Sequence, residues 1–361
     1  MNEIKEKVIL VGVKAKEAGT ANFESSLQEL QGLVETAGGE VIATLVQARE
    51  RPLASTYIGK GKLLELRHLA EELAPDLIVF DSELSPVQLR NLEESLEIRI
   101  IDRTMLILDI FSQRAQSSEG KLQVELAQLE YRLPRLTGRG QEMSRLGGGI
   151  GTRGAGEQKL EMDRRYLRKR INDLKKQMHK LQTTRAIHRL RRSRAGLREV
   201  SLVGYTNAGK SSLFNALCRS AHTSGTEQVE ASNALFQTLD TTTRKMRLPG
   251  GQEFLITDTV GFIQNLPHHL VAAFRATLEE AVEADLLLHV VDITDPDYLD
   301  KIEVVEEVLD HLGADRSRLL TVFNKIDLAP ELDRENRLMV SAQTGEGLTT
   351  LLKTVGELLL R

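Results

Sequence analysis

The sequence predicts a mixed α/β protein in three parts: an N-terminal parallel α/β domain (residues 1–118), an antiparallel helical hairpin of the coiled-coil type (residues 119–198) and a C-terminal P-loop domain (residues 199–361). Strand-like apolar runs alternate with helical patterns in the outer parts, which indicates parallel sheets covered by helices. Two seams of apolar residues spaced four and three apart lie between them and indicate paired helices. A length of 361 residues accommodates two or three domains.

The composition is typical of a protein from a reducing compartment. Cys218 is the one cysteine, which excludes an internal disulfide, and the sequence lacks the Cys and His clusters of a structural zinc site. No apolar run approaches the roughly eighteen residues that a membrane span needs. The opening MNEIKEKVIL has no signal-peptide pattern. We therefore expect a cytoplasmic protein without a membrane span.

The N-terminal part predicts a small parallel sheet. Its buried, strand-like runs alternate with amphipathic helical patterns, as in a series of βαβ units. The predicted strands cover 8–14, 41–47, 77–81 and 98–104, and the predicted helices cover 25–38, 61–74 and 85–97. The glycine-rich GKGK at 59–62 lacks the full spacing of a phosphate loop, so we interpret it as a turn and a helix start.

Positive charge is concentrated in the middle of the chain. Residues 119–198 contain 21 Lys+Arg and 8 Asp+Glu, a net charge of +13, whereas residues 1–118 carry −6 and residues 199–361 carry −11. Such a block favours a polyanionic partner, because each neutralised phosphate releases a counterion. The alternative is a solvated basic helix face.

The middle part predicts two helices that zip together and a loop between them. The first helix ends near Pro134, and the stretch at 138–156 has eight glycines in nineteen residues. It does not follow a strand and lacks the phosphate-loop pattern, so its glycines would instead let a thin backbone enter a confined place. Arg139, Arg145 and Arg153 are candidate RNA contacts, and an ordinary linker is the alternative. The seam residues are Leu122, Leu126, Leu129 and Leu133 in the first helix, and Leu167, Ile171, Leu174, Met178 and Leu181 in the second.

The first motif of the C-terminal part is GYTNAGKSS (204–212), which fits GxxxxGK[ST] and lies between the strand-like VSLV and a helical segment. Backbone amides of such a loop and the helix N-terminus wrap the α- and β-phosphates of a nucleotide. Lys210 would reach the β- and γ-phosphates, and the Ser211 hydroxyl would bind Mg²⁺. The nucleotide-binding residues predicted here are Gly204, Tyr205, Thr206, Asn207, Ala208, Gly209, Lys210, Ser211 and Ser212.

A second motif, DTVG in FLITDTVGF (254–262), also ends a strand-like run. Asp258 would hold Mg²⁺ through a water, and the Gly261 amide would sense the γ-phosphate, with Thr259 and Val260 beside the nucleotide. Between the two motifs, NALFQTLDTTTRKM (233–246) is the expected first switch loop. Its threonines at 238, 241, 242 and 243 could each close over Mg²⁺, and we choose Thr238 from the FxTL pattern. The other predicted contacts of this loop are Phe236, Gln237, Leu239 and Asp240.

Two further motifs predict guanine specificity. NKID comprises Asn324, Lys325, Ile326 and Asp327, and SAQ comprises Ser341, Ala342 and Gln343. The carboxylate in NKID accepts from guanine N1–H and N2–H₂, a pair that adenine lacks. The asparagine would tie this motif to the P-loop, the lysine stem would pack on the base, and the alanine amide would face guanine O6. Four motifs in this order predict a GTP-binding domain.

Two departures bear on catalysis. Phe262 stands where related enzymes carry the glutamine that orients water, so the catalytic group is unknown. We expect hydrolysis to be slow for the protein alone and a partner to complete the site. Asn207 lies three residues before Lys210, as in GTPases that use a monovalent cation, and we hypothesise that K⁺ accelerates hydrolysis. The alternative is an asparagine that only shapes the loop. His268 and His269 are not assigned a catalytic role.

The hairpin contains GRGQEMSRLGGGIGTRGAGEQKLEMDRR, and the C-terminal part contains DTVGFIQNLPHHLVAAFRATLEE alongside GYTNAGKSS, LFQTLDTTTR, NKID and SAQTG. With these motifs the chain resembles the HflX family of translation GTPases over nearly its whole length. The resemblance implies binding to the large ribosomal subunit and its RNA, with GTP favouring the bound state. It also implies separation of ribosomal subunits, often under stress, and an N-terminal domain and hairpin loop near the peptidyl-transferase region. We expect a monomer that does not bind DNA.

Three functions stay open from the sequence. The first is a ribosome-bound GTPase that dissociates or rescues stalled ribosomes. The second is a GTPase of ribosome assembly or RNA modification, against which residues 1–118 show no catalytic Cys pair or metal cluster. The third is a binding module that senses GTP without hydrolysing it, against which the complete motif set argues.

Overall fold

The computed structural model describes residues 5–15, 20–136, 155–194, 196–220, 235–236, 238–248, 250–264, 278, 282–329 and 337–360. Contacts divide the chain into two compact units. The first unit comprises the described residues of Met1–Gln113 and Lys121–Met178. The second comprises the described residues of Arg114–Gly120, His179–Leu266 and Val271–Arg361. In the described part of the chain, none of the helices has the length and apolar character required to cross a membrane. The three-domain division stays a prediction.

The elements alternate as the patterns predict. The strands are β1 (Lys7–Ala15), β2 (Glu40–Arg49), β3 (Leu77–Phe80), β4 (Ile100–Asp102), β5 (Arg198–Val203), β6 (Thr242–Arg247), β7 (Glu253–Asp258), β8 (Leu286–Asp292) and β9 (Leu319–Asn324). The α-helices are α1 (Thr20–Thr36), α2 (Lys60–Leu73), α3 (Pro86–Leu96), α4 (Arg103–Arg114), α5 (Ser118–Arg135), α6 (Ala155–Arg194), α7 (Lys210–Ser220), α8 (Tyr298–His311) and α9 (Leu348–Leu359).

The first unit contains a four-stranded parallel sheet in the order β2-β1-β3-β4. Helices cover a parallel sheet on both faces, so its strands are continuous apolar runs. The strand β3 shows this, since all of its residues are buried. Gly59 of GKGK precedes α2, and its amide donates to Gln47 Oε1 at 2.8 Å. The parallel sheet and the helix start at GKGK are therefore confirmed.

The predicted strand at 98–104 is too long. The strand β4 ends at Asp102, and α4, which the sequence analysis did not predict, begins at the next residue. Asp102 ends the strand and starts the helix. Its carboxylate accepts from the Met105 amide, as an N-cap does, and from the Leu84 amide, both at 2.9 Å. Most of α4 is buried, including Ile107 and Phe111, so its apolar run lacks a polar face and resembles a strand.

The middle-region helices pair, but α5 buries a wider face than the predicted seam. On α6, Ile171, Leu174 and Met178 are buried as predicted. On α5, of the predicted residues only Leu126 is fully buried. The other buried positions of α5 are Gly120, Gln123, Val124, Ala127 and Tyr131.

The wider face follows from contacts of α5 within the first unit. Arg135, at its end, donates to the Leu84 carbonyl at 2.8 Å and to the Asp102 carboxylate at 3.3 Å. Ion pairs also connect α5 with α6, at Arg170–Glu125 and Lys175–Glu130, each at 2.7 Å. The helix ends at Arg135, one residue after Pro134, which agrees with the predicted end near Pro134. Arg139, Arg145 and Arg153 lie outside the described residues.

The second unit contains a five-stranded sheet in the order β6-β7-β5-β8-β9. The strand β6 is antiparallel to β7, and the other pairs are parallel. The three nucleotide motifs at 204–212, 258–261 and 324–327 begin at the carboxyl ends of β5, β7 and β9. Carboxyl ends of parallel strands share one edge of a sheet, where ligands bind in such folds. The predicted fold class is confirmed in both units.

A buried arginine holds the carboxyl ends of the first sheet together. Arg103 is 1% exposed. Its guanidinium donates to Asp81 Oδ1 at 2.7 Å, to the Ser26 carbonyl at 3.3 Å and to Glu29. Burial raises the pKa of Asp81, and the charge of Arg103 opposes that rise. The pair therefore compensates charges that would otherwise be costly to bury.

Replacement of this arginine tests the arrangement. We expect Arg103→Ala to lower the free energy of unfolding by about 3–5 kcal/mol, because Asp81 stays buried without its partner. The control is Arg99→Ala, since Arg99 is half exposed and its carboxylate partners, Glu6 and Asp109, lie at 3.9 and 4.0 Å. The Arg99→Ala control should lower the free energy of unfolding by less than about 1 kcal/mol. Urea unfolding followed by circular dichroism measures both, and equal losses would contradict the prediction.

Candidate nucleotide-binding site

Two glycines let the P-loop approach its neighbours closely. Gly204 has φ 148° and Gly209 has φ 87°, which are conformations that residues with a side chain rarely adopt. A Cβ on Gly204 would lie 2.3 Å from the Val290 carbonyl oxygen, and one on Gly209 would lie 2.3 Å from Asn324 Nδ2. Asn207 between them also has a positive φ, 61°. The loop backbone is therefore fixed by contacts with β8 and with the end of β9.

Lys210, at the start of α7, is directed back to the loop. Its ammonium donates to the carbonyls of Gly204 at 3.0 Å and Tyr205 at 2.8 Å. Burial lowers the pKa of Lys210 to about 8, and the charge of Asp258 opposes that change. A cation in this position can attract nucleotide phosphates to the loop.

Three oxygen-bearing side chains meet beside α7. Ser211 Oγ donates to Asp258 Oδ2 at 2.6 Å, and Thr238 Oγ1 donates to the same oxygen at 3.0 Å. The two hydroxyl oxygens lie 2.9 Å apart. Of the four switch threonines, the structure thus brings Thr238 to this cluster, whereas Thr242 and Thr243 belong to β6.

The cluster has the chemistry of a magnesium site. Asp258 is fully buried, and its Oδ1 atom has no hydrogen-bond partner among the described residues. Burial raises the pKa of Asp258, while the Ser211 hydrogen bond, the Lys210 charge and the Thr238 hydrogen bond oppose the rise. Mg²⁺ prefers hard oxygen ligands such as carboxylates, hydroxyls and waters. The free carboxylate oxygen and the two hydroxyls fit such an ion.

The DTVG segment is joined to the P-loop through its backbone. The Thr206 amide donates to the Phe262 carbonyl at 2.7 Å, and the Phe262 amide donates to the Gly204 carbonyl at 3.1 Å. Phe262 is 1% exposed, so its ring packs inside the protein and cannot orient a water. A Cβ on Gly261 would lie 2.9 Å from Lys210 Nζ, which shows how closely the segment approaches the lysine. Of its other residues, Thr259 and Val260 are also buried.

Asn324 connects the base-recognition loops with the P-loop. Its Nδ2 atom donates to the Ala208 carbonyl at 3.0 Å, and its Oδ1 atom accepts from the Ala342 amide at 3.0 Å. The first bond is the tie that the sequence analysis expected. The second bond uses the Ala342 amide, which was expected to face guanine O6. Donation from this amide to O6 would therefore require its hydrogen bond to Asn324 to break.

The remaining base-recognition residues surround Asn324. Ser341 Oγ donates to Asp327 Oδ1 at 2.6 Å, which orients the carboxylate expected to bind guanine. Lys325 has φ 68° and forms an ion pair with Asp292 at 2.6 Å. Ile326 is buried, whereas Gln343 is exposed.

The switch-loop residues have different surroundings. Phe236 and Leu239 are both 3% exposed and pack inside the protein, and Gln237 lies outside the described residues. The Asp240 carboxylate does not face the P-loop but accepts from the backbone amides of Gln116 at 2.9 Å and Ser117 at 2.7 Å. Its predicted place among the nucleotide contacts therefore differs from the contact that the structure provides.

One contact and one residue near the site were missed by the sequence analysis. The Tyr205 hydroxyl, predicted only as part of the P-loop, accepts from the Gln264 amide at 2.7 Å and so holds the segment after DTVG. His289, on β8, is 1% exposed. Burial and the charge of Lys210 lower the pKa of His289 to about 4, so the ring is neutral at pH 7. No spacing in the sequence indicates either contact, because both depend on adjacent strands.

Three family models match the chain. They are described as GTP-binding GTPase N-terminal, over residues 24–112, GTP-binding GTPase Middle Region, over residues 114–192, and 50S ribosome-binding GTPase, over residues 199–325. The third range includes the P-loop, DTVG and Asn324.

Curated proteins and solved structures also match nearly the whole chain. The GTPase HflX of Caldanaerobacter subterraneus subsp. tengcongensis is 50% identical over 353 residues, which are 97% of this chain and 80% of that protein. The GTPase HflX of Escherichia coli is 44% identical over 340 residues, which are 92% and 78%. The crystal structure of the complex of SsGBP with GDP has a TM-score of 0.50 at 25% identity and covers 98% of each chain.

Gly209 provides a test of the loop geometry. We expect Gly209→Ala to weaken GDP binding by about tenfold or more, because the positive φ costs about 1–3 kcal/mol for a residue with a side chain and the new Cβ would contact Asn324. Gly250→Ala is the matched control, since a Cβ there meets nothing within 4 Å. Calorimetric titration with Mg²⁺ and GDP measures both variants. Unchanged affinity in Gly209→Ala would show that the loop tolerates the side chain.

Proposed function

The chain belongs to the HflX family of GTPases and is itself a GTPase, and from this premise we propose that it acts on the large ribosomal subunit, where it dissociates or rescues stalled ribosomes. The observation that carries the proposal is the match of residues 199–325 to the 50S ribosome-binding GTPase family. This range contains the Ser211, Thr238 and Asp258 cluster.

The roles of the nucleotide-site residues follow from their surroundings. The P-loop amides and Lys210 would bind the phosphates, and Ser211, Thr238 and, through a water, Asp258 would hold Mg²⁺. The ion supplies charge neutralisation at the phosphate oxygens. Asp327, oriented by Ser341, accepts from guanine N1–H and N2–H₂. A buried acceptor left unpaired by adenine is costly, which supports selection for guanine.

The protein alone is a slow GTPase in this proposal. Phe262 occupies the position of the water-orienting glutamine and is buried with its backbone bonded to the P-loop. The described site therefore binds and neutralises phosphates but supplies no side chain that directs the attacking water from this position. We propose that the ribosome completes the site.

Contact with ribosomal RNA is supported by the charge of the middle region. The exposed face of α6 includes Arg165, Arg168, Lys169 and Lys176. Phosphate contacts from such residues position a protein on nucleic acid and make binding dependent on salt. Arg139, Arg145 and Arg153, in the predicted loop of the hairpin at 138–156, are proposed to add contacts to RNA.

GTP can drive subunit dissociation only if the GTP- and GDP-bound forms differ in their affinity for the ribosome. Hydrolysis then releases the factor after the subunits have separated. A role in ribosome assembly or RNA modification is the alternative. In that case free RNA or assembly intermediates, rather than mature subunits, would stimulate GTP hydrolysis.

The first test compares steady-state GTP hydrolysis by the full chain alone, with purified small subunits and with purified large subunits. We expect strong stimulation, by about 10²-fold or more, with large subunits only, because a partner that supplies a missing catalytic group has effects of this size. Light scattering of intact ribosomes should fall when GTP is added. Hydrolysis that is indifferent to both subunits would contradict the proposal and favour the assembly role.

The cation hypothesis has a separate test. If Asn207 helps to hold K⁺ near the phosphates, hydrolysis should be faster in KCl than in NaCl at equal ionic strength. The matched variant is Asn207→Gly, because glycine adopts the φ of 61° at this position without strain and removes only the amide. The variant should lose the preference for K⁺. Equal rates of the native protein in the two salts would contradict the hypothesis.

A further inference from the structure

The carboxylate of Asp240 binds the start of the hairpin. Its Oδ2 atom accepts from the amides of Gln116 and Ser117, at 2.9 and 2.7 Å, and its Oδ1 atom accepts from the Ser117 hydroxyl. Asp240 and Ser117 are 123 residues apart in the chain, and both belong to the second compact unit. Hydrogen bonds to an ionised acceptor are about twice as strong as neutral ones, so three of them make a firm contact.

The contact completes the N-terminus of α5. Ser117 directly precedes the helix, and its hydroxyl oxygen accepts from the Gly120 amide at 2.8 Å, as an N-cap does. The positive end of the helix dipole favours a carboxylate at this place. A Cβ on Gly120 would lie 2.4 Å from Asp240 Oδ1, so this approach requires the glycine. The contact therefore depends on Asp240 in the switch loop and on Ser117 and Gly120 at the start of α5.

Asp240 is also attached to the nucleotide site through two peptide bonds. Thr238, two residues earlier, contacts Ser211 and Asp258 in the proposed magnesium site. Two residues of extended chain span at most about 7 Å, and Leu239 between them is buried. A movement of Thr238 away from the proposed magnesium site that exceeds the length of this tether therefore requires that Asp240 releases α5 or that the start of α5 follows.

Other ion pairs hold the hairpin base, which comprises residues 116–120 and 179–194. Glu119 pairs with Arg185 at 2.7 Å, and Arg189 pairs with Glu283. Neither pair includes a switch-loop residue. Loss of the Asp240 contact should therefore remove this link between the switch loop and the hairpin base without removing the two ion pairs.

We propose that Asp240 is a positioning residue that couples the occupancy of the nucleotide site, through Thr238, to the hairpin base. This inference rests on the proposed role of Thr238 at Mg²⁺. A coupling free energy acts equally in both directions. A partner that holds the hairpin base in place therefore also holds Thr238 in its metal-binding position, which provides a route by which a partner of the basic hairpin promotes hydrolysis.

The coupling is observable as hydrogen exchange of the full-length chain, loaded with GDP or with a non-hydrolysable GTP analogue. Exchange in peptides that contain the Gln116 and Ser117 amides should differ about fivefold or more between the two nucleotides. In Asp240→Ala, exchange should be faster and independent of the nucleotide. Asp240→Asn keeps a carbonyl oxygen for the two amides and should restore part of the difference.

Steady-state kinetics of GTP hydrolysis distinguish a loss of the coupling from a general loss of structure. Asp240→Ala should lower kcat for GTP about tenfold and change KM less than about twofold, because Asp240 does not contact the P-loop. Gly120→Ala should cause the same loss from the hairpin side, although alanine favours the helix. The double variant should be no worse than either single variant, since one coupling is removed once. Ser118→Ala, at the exposed neighbouring position, is the control and should leave kcat unchanged.

The outcomes distinguish this inference from the proposed function. Thr238→Ala is measured alongside, with Thr242→Ala as its control. If Thr238→Ala abolishes hydrolysis while Asp240→Ala and Gly120→Ala do not lower it, the metal role stands and the coupling is wrong. If Thr238→Ala has no effect, the metal role itself is wrong. Additive losses in the double variant, or nucleotide-dependent exchange that persists in Asp240→Ala, would also overturn the coupling.

Discussion

The arrangement of the nucleotide site depends on the buried carboxylate of Asp258. A charged group without solvent must be satisfied by hydrogen bonds or by a cation. Asp258 therefore gathers hydroxyls from two separate segments, Ser211 of α7 and Thr238 of the switch loop, onto one oxygen and keeps the other available. The pairing of β7 with β5, the strand that leads into the P-loop, fixes that carboxylate relative to the loop.

The elements that could be predicted are those with a repeating pattern or a motif at a strand end. The parallel sheets follow from buried apolar runs, and the clustering of the P-loop, DTVG and NKID follows from the shared edge of parallel strands. The choice of Thr238 among four threonines came from the FxTL pattern, and the structure puts that residue beside Ser211. Its role at Mg²⁺ stays a prediction.

The features that could not be predicted depend on contacts between distant segments. The helix α4 was hidden because burial on most sides removes its polar face, and the face of α5 was underestimated because it packs on more than α6. The contact of Asp240 with Ser117 joins residues 123 positions apart, and no local spacing indicates it. Such contacts require the three-dimensional arrangement, since a half-buried aspartate between Leu239 and Thr241 has no distinctive sequence pattern.

Asn324 forms two hydrogen bonds, one to the Ala208 carbonyl and one from the Ala342 amide, and this pair of bonds constrains the evolution of nucleotide specificity. One side chain thus contacts both the segment proposed to bind the base and the loop proposed to bind the phosphates. A substitution there would alter the choice of base and the strength of phosphate binding in a single step. Evolution toward another nucleotide is therefore easier at Asp327, whose contact with Ser341 lies on the side of the base alone.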